Sequence, residues 1–123
     1  MPAGLRKSTL IVTRNSPYGG GIAKSALDTV LAMAVFEQPV SMLFQGEGVL
    51  QLLPEQAPDH LGKRSLFRQL ESLALYDMDR LYVDAVSARR FGVDLALCPI
   101  ATNALDDGQI RDLMLKHDTV LGF

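Results

Sequence analysis

The residues with the means to do chemistry in this chain are two glycine-rich turns, a carboxylate at a predicted strand end and a single cysteine. The first turn, Asn15-Ser-Pro-Tyr-Gly-Gly-Gly21, follows the apolar run Thr9-Leu-Ile-Val-Thr13 after one residue, Arg14. The second opens the stretch Gly46-Glu-Gly-Val-Leu-Gln-Leu-Leu-Pro54. A strand that stops at a glycine turn and feeds a helix delivers its terminal groups to the carboxyl edge of an open α/β sheet, where ligands and partners bind. Ser16, Tyr18, Gly20, Glu47 and Asp84 are candidates for one crevice at that edge.

The glycine run does not make a nucleotide loop. A P-loop needs its lysine directly beside the last glycine. Here Ile22 and Ala23 separate Gly21 from Lys24-Ser25, so the register is wrong. For a dinucleotide fingerprint Gly19 and Gly21 fit, but the third glycine position holds Lys24. The run reads as a turn needing positive φ, with a small-anion site at the following helix N-terminus as the alternative.

Asp84 ends a predicted strand and precedes Ala85-Val-Ser-Ala-Arg-Arg90. It is a functional position at a sheet edge and equally a good N-cap for the helix that follows; the two readings are compatible. Glu47 has the same double status, turn residue or crevice residue. Arg89-Arg90 reads as a solvated face.

Cys98 is the only possible sulfur nucleophile. Neither Leu95-Ala-Leu97 before it nor Pro99 after it supplies the cation or helix N-terminus that activates a thiol, so it reads as a small core residue. One cysteine leaves no intramolecular disulfide, no Cys-x-x-Cys pair and no cysteine-based zinc cage. His60 and His117 have no ligand spacing, so neither a metal nor a cofactor is expected. No Gly-x-Ser-x-Gly elbow supports a hydrolase.

The elements that must position these residues follow from apolar periodicity. Strands are expected at Ser8–Thr13, Val40–Gln45, Arg80–Asp84, Cys98–Thr102 and Asp118–Phe123. The unbroken apolar character of the first predicts burial on both faces. Helices are expected at Gly20–Phe36, Leu61–Leu75, Val86–Phe91 and from Asp106-Asp107 to Lys116, with Gly92 stopping the third. In the first helix Ala23, Ala26, Leu27, Val30, Leu31 and Ala34 face inward. Its outer face, with Ser25, Asp28, Thr29 and Ala32, is small and only mildly polar, and is a candidate interface. In the second, Leu66, Phe67, Leu70, Leu73 and Ala74 point inward. Pro54 to Pro58 reads as a loop. Strands alternating with helices predict an α/β three-layer sandwich with a mostly parallel, about five-stranded sheet.

Composition sets outer bounds. The chain has 123 residues, enough for one domain spanning 8–123 behind a loose leader of residues 1–7. Apolar residues make up 48% and charged residues 21%, as in ordinary globular proteins. A net charge of −2 offers no broad cationic surface for nucleic acid. The leader has no run suited to a signal peptide, and nothing reaches the about 18 apolar residues of a membrane span. A cytoplasmic protein is expected.

With these residues in place, the chain resembles the TusC/DsrF type of subunit in the DsrE-like sulfur-relay family. The resemblance runs from Ser8 to Phe123. It rests on Ser16-Pro-Tyr-Gly-Gly-Gly21, on Gly46-Glu-Gly-Val-Leu-Gln-Leu-Leu-Pro54, on Leu73-Ala-Leu-Tyr-Asp77 and on Asp118-Thr-Val-Leu-Gly-Phe123. It implies a cytoplasmic heterohexamer built with two related small sister subunits. The complex takes persulfide sulfur from an upstream carrier and passes it to a downstream acceptor, without direct nucleic-acid contact by this chain. The Tus type serves 2-thiolation of the tRNA wobble uridine; the Dsr type serves oxidation of stored sulfur. One sister carries sulfur on a cysteine just after its third strand, and Asp84 stands at that position here. The resemblance therefore implies a non-catalytic subunit; in such a subunit the apolar Val49–Leu53 segment, with Val49, Leu50 and Leu53, is a further interface candidate. The rivals are a small-anion-binding α/β enzyme using Ser16 to Gly21, Glu47 and Asp84, and a direct persulfide role for Cys98.

Overall fold

A computed structural model describes residues 7–17, 20–53, 66–76 and 78–123. Its strands are β1 (Thr9–Thr13), β2 (Val40–Phe44), β3 (Leu81–Asp84), β4 (Asn103–Leu105) and β5 (Thr119–Gly122). Its helices are α1 (Ile22–Val35), α2 (Leu66–Glu71), α3 (Ala85–Arg90) and α4 (Asp107–Lys116). Short 3-10 segments cover Gly46–Leu52, Ser72–Tyr76 and Leu95–Leu97.

The five strands form one sheet in the order β4-β3-β2-β1-β5, and every pairing is parallel. From β1 the chain steps outward to β4, then returns to place β5 on the other flank of β1. Right-handed crossovers put connections running in opposite directions on opposite faces of a sheet. The two cores follow that rule. Ile11, Met42, Phe44 and Val83 pack with α1, α2, α3 and the Gly46–Leu52 segment. Leu10, Val12 and Leu43 point the other way, onto Ile110 and Leu113 of α4. Alternate residues of one strand thus serve two layers, and all of Thr9–Thr13 and Val40–Phe44 is buried. The architecture is a three-layer α/β sandwich.

Local chemistry explains the helix ends. Asp106 and Gln109 form a capping box on α4: the Asp106 carboxylate accepts from Gln109 N at 2.8 Å, and Asp106 N donates to Gln109 Oε1 at 2.9 Å. α3 closes at Gly92, whose φ is +68°. Gly92 N donates to Arg89 O and Val93 N to Ala88 O, the paired bonds of a Schellman ending.

The structure moves several expected boundaries. The fourth strand is Asn103–Leu105, not Cys98–Thr102. Cys98 instead closes a 3-10 turn capped by Asp94, and Pro99 has no N–H to offer a ladder, so pairing starts only beyond it. Of the helix expected over Leu61–Leu75, Leu66–Glu71 is α-helical and Ser72–Tyr76 tightens to 3-10; residues 61–65 lie outside the described residues. Phe67, Leu70 and Leu73 are buried as the periodicity requires. β2 stops at Phe44, although Gln45 N still donates to Thr13 O at 3.1 Å. The loop expected at Pro54 to Pro58 and the leader up to Arg6 lie outside the described residues.

Candidate functional site at the carboxyl edge

Register brings the strand ends level. Thr13 pairs with Phe44, Phe44 with Val83, and Asp84 with Leu105. The residues following β1, β2 and β3 therefore meet at one edge.

The second glycine turn folds back over the first strand. Gly46, with φ +56°, turns the chain into a seven-residue 3-10 helix, long for this geometry. Gly48 then lies so close to β1 that a Cβ there would stand 2.1 Å from Thr13 O. No side chain fits that approach. Three residues on, the buried Gln51 amide donates to Thr13 Oγ1 at 2.9 Å and to Asn15 O at 2.8 Å. Val49 and Leu52 fill the core beneath. The Gly-Glu-Gly stretch is thus a clasp on the end of β1.

Asp84 closes the other side. Its Oδ1 accepts from Val86 N at 3.1 Å, which caps α3. Its Oδ2 accepts from the Ser87 hydroxyl at 2.9 Å, and Ser87 Oγ in turn accepts from Gly46 N at 2.9 Å. Asp84 is 7% exposed. Both carboxylate oxygens are engaged in holding the β3–α3 junction and, through Ser87, the second glycine turn.

The remaining candidates are scattered around this clasp. Ser16 is half-buried, Gly20 is exposed with φ +84°, and Tyr18 lies outside the described residues. Glu47 is exposed on the first turn of the 3-10 segment. Lys24 does not reach over the first glycine turn: it pairs along α1 with Asp28 at 2.8 Å. The outer face of α1 is mostly exposed, as its composition requires. Of the apolar interface candidates, Val49 is 0% exposed and belongs to the chain's own core, which removes it as a surface residue. Leu50 and Leu53 are half-buried and lean on the same core.

Cys98 is not at the clasp. Its thiol donates to Leu52 O at 3.3 Å, and burial pushes it above the ordinary thiol range against the weaker pull of the Ile100 N–H. His117 also lies elsewhere, its ring between Leu113 O at 2.7 Å and Ser41 Oγ at 3.1 Å. His60 lies outside the described residues. Among the described residues no group of three His, Cys, Asp or Glu side chains is placed to hold a metal. No helix among them is long and apolar enough to cross a membrane.

Reading the sequence by residue type passes over Gln51, Ser87 and Gly48, the residues that build the clasp. Two of them sit in the Gly46–Pro54 stretch. A glutamine inside an apolar run is the one local signal that a buried polar contact is waiting there.

The parallel sheet, its two helical layers and the clasped carboxyl edge define a three-layer α/β protein. The chain belongs to the DsrE/DsrF-like family, which matches residues 7–123. Its relatives agree with the TusC/DsrF type. The TusC homolog of Pseudomonas aeruginosa is 40% identical over 117 residues, covering 95% of this chain and 98% of that protein. TusC of Klebsiella pneumoniae is 31% identical over 118 residues, covering 95% and 99%. TusC of Escherichia coli is 30% identical over 119 residues, with the same coverage. The crystal structure of the YchN protein from E. coli superposes with a TM-score of 0.82 over 95% of this chain and 99% of that one. At 18% identity this is a likeness of fold alone.

Proposed function

We propose that this chain is a non-catalytic subunit of a cytoplasmic sulfur-relay complex that passes persulfide sulfur towards 2-thiolation of the tRNA wobble uridine. The family and the relatives called TusC support a sulfur-relay subunit. The observation that carries the non-catalytic role is the state of Asp84. It stands where the resemblance puts a sister's sulfur-carrying cysteine, and both its oxygens are committed to the α3 cap and to Ser87. A carboxylate holds no persulfide. The lone thiol, Cys98, has its pKa raised by burial and donates to a backbone carbonyl away from the clasp. In this reading residues 8–123 form one domain that assembles with two related sisters in a heterohexamer, and the sisters receive and hand on the sulfur.

Native mass spectrometry of the chain purified from its own cells tests the assembly. Two co-purifying subunits of similar size, one of them persulfidable, are expected. Deleting the gene is expected to lower 2-thiouridine in tRNA, and a Cys98→Ser copy is expected to restore it. Unchanged 2-thiouridine with impaired oxidation of stored sulfur would overturn the tRNA assignment.

A further inference from the structure

We draw no further inference here: the strongest candidate, the outer edge of β5, where Val120 and Leu121 stand exposed on opposite faces of a strand that pairs only with β1 among the described residues, carries nothing because nothing in the structure shows what covers it.

Discussion

Gly48 lies against Thr13 at a distance that excludes any side chain: a Cβ would come 2.1 Å from Thr13 O and 2.9 Å from its carbonyl carbon. Because the obstacle is backbone of β1, a strand paired on both sides, nothing can swing aside. Gly48→Ala must push the 3-10 segment off β1 and stretch the Gln51 bonds to Thr13 and Asn15. Overpacking of this kind costs about 1–3 kcal/mol. Urea unfolding should show that loss, while Gly21→Ala, where a Cβ meets nothing within 4 Å, should stay close to wild type.

Asp84 is worth more than its cap. Asp84→Ala removes the acceptor for Val86 N and also strips Ser87 of the carboxylate that receives its hydroxyl proton. Loss of an N-cap alone costs about 0.5–2 kcal/mol. The Ser87 contact adds to it, and Asp84→Asn, which keeps a capping oxygen, should recover a large part. A urea series on the three proteins measures the difference.

The Cys98 thiol holds its proton more tightly folded than unfolded, because burial disfavours the thiolate. Its contribution to stability is therefore complete below the unfolded thiol value of about 8.5 and is lost as pH rises through the higher folded value. Urea midpoints measured from neutral to alkaline pH should fall more steeply for the wild type than for Cys98→Ala. Iodoacetamide should modify the native thiol more slowly than the urea-unfolded one at the same pH.

At the other end of the titration range, Asp118 ties the start of β5 to the start of β1. Ser8 N donates to its Oδ2 at 2.8 Å and the Ser8 hydroxyl at 3.2 Å, which holds the carboxyl below its ordinary value. A depressed folded value means that the contribution is present above the unfolded value, about 3.9, and is lost as pH falls through the folded one. Asp118→Asn should flatten the acid limb of the stability profile below about pH 4, read by urea midpoints. An unchanged acid limb would remove Asp118 from the account.

Much of the framework is written locally. The apolar run at Thr9–Thr13 announces a strand buried on both faces, and it is; the structure shows Val40–Phe44 buried throughout as well. Asp106 with Gln109, and Gly92 after Arg90, mark helix ends through bonds that span a few residues. The errors also have local causes. Cys98–Thr102 has strand composition, but Pro99 and the capped turn before it delay pairing until Asn103. Val49 looks like an interface residue because its run is apolar, and that run turns inward.

Most element types, the two turns and the family resemblance are legible along the chain, because periodicity, caps and glycine conformations depend on sequence neighbours. What the conspicuous residues do depends on contacts between segments far apart in the chain. Gln51 reaches Thr13 across 38 positions and Ser87 reaches Gly46 across 41, through a sheet register that no local pattern encodes. That register turned the second glycine turn, Gly46 to Gly48, from a candidate crevice wall into a clasp, and committed Asp84 to it through Ser87. Burial, too, is a property of the assembled layers and not of any one segment: Leu73 is 0% exposed while Leu75, two residues on, is 82% exposed.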